Sequence, residues 1–304
     1  LRPDHSREIV SAHSECASLP LTMATILDTL KKGTEYLQKY EIDEARLSME
    51  HLIAHVLKID RMQLYLDFDR PLTEEDLSSL RELTKRRGRG EPLQHLLGTV
   101  EFHGSEFATD SRALVPRPET EELTDLLLTR PGFEPSSVLD LGCGSGVIGL
   151  TLFQKFNPRP SETVLADISP EALALARENG ERVQADDSVT FLESDLFSSL
   201  SNSFDLIVAN LPYIPSSEST ELSREVQRDP DLALYGGETG TEIIVRALEG
   251  AIEHLNPGGL LALELGIDQA TGLATLAEDF GYFPVQIVKD LSGLERFLFA
   301  TKPA

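Results

Sequence analysis

The sequence predicts an α/β protein: a mostly parallel seven-stranded sheet preceded by a small all-helical N-terminal domain. Three observations predict it. From residue 137 onward, seven strand candidates alternate with helix patterns, which gives a sheet covered on both faces. A glycine-dense turn follows the first of those strands and opens a helix. Ahead of them, residues 23–97 read as helix throughout. The 304 residues exceed one average domain, and 40% apolar content is enough for a real core.

In chain order, residues 1–22 come first and lack the apolar core of a signal peptide. The amphipathic pattern starts only after Met23, so 1–22 are expected to be a disordered or misannotated extension, with Met23 the true start. In the helical domain, 23–97, Ala45, Met49, Leu52, Ile53, Val56 and Leu57 recur at three- and four-residue spacing, one face of a helix. Thr73-Glu74-Glu75-Asp76 resembles a capping box with Asp in place of Glu, ahead of Leu77, Leu80 and Leu83. No catalytic constellation lies in this stretch. A linking hairpin is expected within 98–112, from Thr99–Phe102 and Glu106–Thr109 around His103-Gly104-Ser105.

The sheet belongs to 113–304. Its expected strands are Ser137–Leu141, Thr163–Asp167, Ser188–Glu193, Phe204–Ala209, Gly259–Glu264, Pro284–Lys289 and Arg296–Ala300. Helices fit over Gly144–Phe156, Pro170–Val183, Thr241–Leu255 and Asp268–Phe280. The Ser292-Gly293 turn is too short for a crossover, so the last two strands must pair antiparallel.

Composition narrows the function. A formal charge of −24 disfavours a large phosphate-binding surface, so no direct nucleic-acid partner is expected. No apolar run approaches the ~20 residues of a membrane span. With only Cys16 and Cys143, far apart, neither a disulfide framework nor a zinc site is expected, which fits a reducing, cytoplasmic setting. One local basic patch exists, Lys85-Arg86-Arg87-Gly88-Arg89; it reads either as a docking patch or as a solvated helix end.

Two stretches carry chemistry. In Val138 to Gly146 a strand runs into Gly142-Cys143-Gly144-Ser145-Gly146 and then a helix. Glycines let the backbone bend sharply and let a ligand lie against it. Asp167 closes the next strand, where an acid can accept both ribose hydroxyls of a nucleoside. Gly144, Gly146 and Gly149 also form G-x-G-x-x-G, with Asp167 about 20 residues on, so a dinucleotide site is one reading. The other is S-adenosyl-L-methionine: Asp140 precedes the glycines, where it could engage a cationic amino-acid end, directly or through water. Asp195 after the third strand could meet the adenine amino group and Leu196 the ring face, although Asp at a strand end also serves as a helix cap.

The second stretch is Asn210-Leu211-Pro212-Tyr213, at the carboxyl end of a buried strand where open α/β sheets bind ligands. The Asn210 side-chain oxygen and the Leu211 backbone carbonyl can both accept from one NH2 group, while Tyr213 can pack on a flat substrate. This stretch has no role in a dinucleotide enzyme, which favours S-adenosylmethionine. It suits methylation of a planar amine or amide nitrogen; an ordinary strand-to-loop turn is the bland alternative.

In this order the motifs resemble those of the release-factor glutamine methyltransferases, the HemK/PrmC family, over about Met23 to Ala300. Arg86 with Gly90-Glu91-Pro92-Leu93-Gln94-His95-Leu96-Leu97-Gly98 and Leu114 to Glu121 are similar to its early signatures. Asp229-Pro230, Ala233 to Gly237, Leu263 to Gly266 and Lys289 to Gly293 are similar to its later ones. The resemblance implies a helical domain ahead of a Rossmann-like seven-stranded class I methyltransferase domain. It implies S-adenosylmethionine as donor and the glutamine of the Gly-Gly-Gln motif in class 1 peptide chain release factors as acceptor. Where the family has Asn-Pro-Pro-Tyr, this chain has Leu211 for the first Pro: the carbonyl survives and the ring's rigidity is lost. The rivals are a nucleic-acid amino methyltransferase and a decayed, non-enzymatic binding module. None of the seven histidines, His51, His55 and His254 included, sits in a catalytic motif.

Overall fold

The computed structural model describes residues 24–219 and 222–304. The expected extension 1–22, the Met23 start and Cys16 lie outside the described residues.

Period-two alternation in the strands decides the architecture. The central sheet has seven strands: β3 (Ser137–Leu141), β4 (Glu162–Asp167), β5 (Val189–Glu193), β6 (Phe204–Asn210), β9 (Leu255–Glu264), β10 (Val285–Lys289) and β11 (Glu295–Thr301). Their order is β10-β11-β9-β6-β3-β4-β5, with β11 antiparallel to both neighbours and the other pairs parallel. Leu139, Leu141, Ile207, Ala209, Leu261 and Leu263 face one core, shared with α9 (Glu242–His254) and α10 (Ala270–Asp279). The residues between them, Val138, Leu206, Val208, Leu260 and Ala262, face a second core. That core is closed by α5 (Pro118–Leu128), α6 (Val147–Lys155) and α7 (Pro170–Arg182). The strand order reverses between β3 and β6, and a crevice forms outside their carboxyl ends.

The expected antiparallel pairing of the last two strands is present. Two boundaries move for local reasons. Helix α6 starts at Val147 rather than Gly144, because Gly142, Gly144 and Gly146 have φ of +70°, +54° and +81°, outside the helical region. The hairpin is β1 (Thr99–Phe102) and β2 (Ser105–Ala108), joined by His103 and Gly104 alone, both at positive φ. A two-residue turn of that kind matches the strands' twist. Unforeseen in the sequence is a two-residue strand β7 (Ile214–Pro215) paired with β8 (Tyr235–Gly237). That ladder pins both ends of an excursion over 216–234, which contains the short helix α8 (Asp231–Leu234).

The helical domain has its own core around Ile26, Leu37, Met49, Leu52, Ile53 and Leu80. It is made by α1 (Ile26–Lys39), α2 (Ala45–Leu57), α3 (Glu74–Gly88) and α4 (Leu93–Leu97). The Thr73–Asp76 capping box is present, with each side chain bonded to the other's backbone N–H. A matching box, Thr25–Asp28, opens α1.

The basic patch is not the free surface its sequence suggests. Arg87 is 4% exposed and spans the domains: Nη2 donates to Glu225 Oε2 at 2.9 Å and Nη1 to the Glu91 carbonyl at 3.0 Å. Arg86 forks onto the Glu91 carboxylate. Arg228 donates to the Arg89 carbonyl at 3.2 Å, and Gly90 lies where a Cβ would fall 2.8 Å from Arg224 Cβ. The helical domain therefore holds the 216–234 excursion; of the four patch cations Arg87 is consumed in doing so and Arg86 is paired with Glu91 within the domain. The reason is the helix end itself, where Arg86 and Arg87 meet Glu91 one turn on and Glu225 across the interface.

Candidate active site

The crevice at the β3/β6 switch point is lined on one wall by Gly142, Gly144, Asp167 and Leu196, and on the other by Asn210, Leu211 and Pro212. The glycine loop is fixed to the sheet: Gly142 N and Cys143 N both donate to the Ala166 carbonyl, at 2.8 and 3.0 Å. Gly146 N closes the turn on the Cys143 carbonyl at 2.8 Å. A Cβ at Gly144 would have only Ala113 near it, at 3.8 Å, so the missing side chain leaves cleft space that a ligand can occupy. Asp167 ends β4 in the cleft. Its oxygens accept from Gly144 N at 2.8 Å and Ser169 N at 2.9 Å, while burial raises its pKa.

The other predicted loop residues sit behind this surface. Asp140 is fully buried and does not line the cleft. Its Oδ2 accepts from Gly149 N at 2.7 Å, which ties the first turn of α6 to β3, and burial pushes its pKa up to about 7. Asp140 thus gives one carboxyl oxygen to the helix, behind the cleft surface. Its second oxygen, Oδ1, has no partner among the described residues. Cys143 is buried, and burial raises its thiol pKa, so it packs rather than reacts. The Ser145 carbonyl accepts from Asn179 Nδ2 at 2.9 Å. Asn179 also exchanges two hydrogen bonds with Ala108 of β2, coupling loop and hairpin.

Asp195 lines the cleft, but its two oxygens take Arg246 Nη2 of α9 at 3.0 Å each. A ring placed there would meet an ion pair rather than a lone acid. Leu196, at φ +48°, presents its side chain beside it. Arg246, Ile168, Pro230 and Leu232 also line the cleft, and sequence reasoning did not single them out as ligands.

On the other wall, Asn210 ends β6 and pairs in register with Glu264 on β9. Its Nδ2 donates to Thr120 Oγ1 at 3.0 Å, and Thr120 Oγ1 donates to Glu264 Oε2 at 2.7 Å. Among the described residues nothing donates to Asn210 Oδ1, which remains an available acceptor at the cleft. Leu211, in place of the family's Pro, is 4% exposed, and a Cβ on Gly142 would fall 2.7 Å from its Cδ2. That side chain therefore packs one wall against the other.

Tyr213 follows this wall but is not among the residues lining the cleft; one edge of its half-buried ring lies against Gly266 and packs on the first core. Burial, reinforced by Glu264, pushes its hydroxyl up to about 12, and its carbonyl accepts from Gln269. The excursion closes over the site through Asp229, which meets Arg117 Nη2 at 2.6 Å and Val115 N at 3.3 Å.

The chain is similar to known proteins along nearly its whole length. Residues 28–98 match the PrmC N-terminal domain and residues 119–228 the methyltransferase small domain. The chain is 40% identical to a release factor glutamine methyltransferase of Rhodopirellula baltica over 287 residues, 91% of this chain and 96% of that protein. A Geobacter sulfurreducens protein of the same name is 39% identical over 274 residues, 90% of this chain and 95% of that protein. A crystal structure of a Pyrococcus furiosus methyltransferase, 23% identical, superposes with a TM-score of 0.52 over 66% of this chain and 91% of that one, a shared fold. At such identity along nearly its whole length, the chain belongs to the release factor glutamine methyltransferase family.

Proposed function

We propose that this enzyme transfers a methyl group from S-adenosylmethionine to the side-chain amide nitrogen of the glutamine in the Gly-Gly-Gln motif of class 1 release factors, in the cytoplasm. The observation that carries the reading is Asn210 at the end of β6, its Nδ2 held by Thr120 and its Oδ1 left as an acceptor, beside Leu211 and across the cleft from Gly144 and Asp167; the Leu211 carbonyl is its proposed partner acceptor. S-adenosylmethionine, the donor this family uses, supplies an electrophilic methyl group on a sulfonium. Gly142 and Gly144 would lie against it, Asp167 would accept its ribose hydroxyls, and Leu196 with the Asp195–Arg246 pair would flank its base.

The chain's own contribution is orientation. An amide nitrogen is a poor nucleophile because its lone pair is delocalised into the carbonyl. Two acceptors on its hydrogens fix the NH2 plane and direct the lone pair at the methyl carbon. As the new C–N bond forms, the methyl–sulfur bond would break with its electron pair leaving on the sulfur of S-adenosylhomocysteine; the nitrogen gains positive charge, which the same acceptors stabilise, and one N–H proton leaves to solvent. Positioning and preorganised electrostatics account for this without a strong base. The helical domain, with Lys85 and Arg89 left from the basic patch, is our candidate for docking the rest of the release factor. None of the helices among the described residues is long and apolar enough to cross a membrane.

The test is methyl transfer from labelled S-adenosylmethionine to purified release factor and to ribosomal RNA in parallel. Label on the release-factor glutamine supports the reading; label in the RNA alone replaces it with nucleic-acid amino methylation.

A further inference from the structure

We propose that Thr120 and Glu264 are positioning residues that set the polarity of the Asn210 amide, turning its oxygen rather than its NH2 toward the substrate. The proposal rests on the reading that Asn210 grips the substrate amide. A side-chain amide is close to symmetric in shape, so packing alone cannot decide which end faces the cleft. Hydrogen bonding decides it, and here the chain of bonds has a direction.

It starts at Glu264, 1% exposed and directly beside Asn210 in the β6–β9 register. An ionised carboxylate can only accept. Thr120, 4% exposed in the first turn of α5, must therefore give its single hydroxyl proton to Glu264 Oε2, 2.7 Å away. With that proton spent, Thr120 Oγ1 can only accept from Asn210, and Nδ2 is the donor 3.0 Å from it. The flipped amide would set Asn210 Oδ1 against a hydroxyl with no proton to offer, two buried acceptors facing each other, at the cost of an unmade hydrogen bond. It would also turn an NH2 toward the substrate NH2, donor against donor. Burial pushes the Glu264 pKa up to about 7, against the pull of Thr120, Arg296 and Asn210, so the direction of the bonds is fixed in the ionised form, above that pH; Arg296 is itself held by the Leu265 carbonyl at 2.9 Å. None of these groups other than Asn210 lines the cleft, so their effect passes through Asn210.

The experiment compares Thr120→Val, Thr120→Ser, Asn210→Ala and the double variant Asn210→Ala/Thr120→Val, with kcat, KM for release factor and S-adenosylhomocysteine affinity measured for each. Thr120→Val keeps shape and removes the hydroxyl. Its kcat should fall roughly 10- to 100-fold, the scale of a small misplacement of a catalytic contact. Affinity for S-adenosylhomocysteine should stay within about twofold, and Thr120→Ser should recover most of the loss. The double variant should be no worse than Asn210→Ala, because Thr120 acts only through Asn210. A Thr120→Val enzyme with unchanged kcat overturns the proposal while leaving the Asn210 grip intact. Equal loss of S-adenosylhomocysteine binding, or losses that add in the double variant, overturns it in favour of a structural role. An active Asn210→Ala enzyme overturns the underlying grip instead.

Discussion

The two walls of the cleft are made in different ways. The wall proposed to lie beneath the cofactor is nearly contiguous in sequence, residues 142–146 with Asp167, and is held mainly through backbone atoms: N–H groups on the Ala166 carbonyl and on Asp167, and glycines at positive φ. The wall proposed to face the substrate is assembled from side chains brought from far apart. Thr120 and Asn210 are 90 residues apart, and Thr120 and Glu264 are 144. A backbone cradle tolerates many side-chain changes provided its glycines remain. A relay of single hydroxyl, amide and carboxylate groups fails when one atom is removed. The cofactor wall should therefore fail in affinity, and the substrate wall in turnover.

The largest expected effect is on the substrate wall. Asn210→Ala should lower kcat roughly 100- to 1,000-fold, as for the loss of one preorganised polar contact, with S-adenosylhomocysteine affinity little changed. A matching loss of affinity in calorimetric titration would erase the contrast between the walls. Next is Asp167→Ala, which removes a charged acceptor worth roughly 1.5–3 kcal/mol and should weaken cofactor binding about 10- to 100-fold. Turnover at saturating cofactor should nearly recover. Failure to recover would mean that Asp167 also positions the reacting group.

A smaller effect is expected where the helical domain holds the excursion. Arg87→Ala removes the buried guanidinium that joins Ser48, Glu91 and Glu225. If that tie orients the docking domain, KM for intact release factor should rise roughly 5- to 30-fold, the equivalent of about one to two kcal/mol. KM for a short Gly-Gly-Gln peptide should stay unchanged. An equal rise for both substrates would reduce the domain to a cover for apolar surface.

The last effect is on stability alone and leaves the comparison of the walls untouched. Burial pushes Asp140 up to about 7, so the folded protein keeps a proton that an unfolded aspartate, at about 4, has released. Asp140 therefore costs stability progressively as pH rises from about 4 to 7, and by a constant amount above that. Asp140→Asn mimics the protonated form. Its melting temperature relative to wild type should be higher at pH 8 than at pH 5. The comparison with wild type cancels His51 and His95, whose pKa values burial lowers and which act in the opposite direction. A difference independent of pH would mean that Asp140 is not buried as a carboxylic acid.

The same contrast explains what could be read without coordinates. Seven strands, the antiparallel last pair and the glycine turn were legible because alternation and turn chemistry are local properties of Ser137–Leu141, Phe204–Asn210 and Ser292-Gly293. The supporting roles of Asp140 and Tyr213 were not, since side-chain direction at a strand end depends on helices packed later in the chain. Nor was the fate of Arg87, because its partner Glu225 is 138 residues away. Thr120 and Glu264 could be noticed only as parts of segments similar to the family's, and nothing in their spacing linked them to Asn210.

The central claim is that Asn210 orients a glutamine amide for methylation, and peptide mapping of the product tests it most directly. Purified release factor is incubated with S-adenosylmethionine and either wild-type enzyme or Asn210→Ala, digested, and the Gly-Gly-Gln peptide is fragmented by mass spectrometry. The account predicts one methyl group on the glutamine side-chain nitrogen with the wild type, and almost none in the same time with Asn210→Ala. A methyl group on any other residue, or equal methylation by the two enzymes, would contradict it.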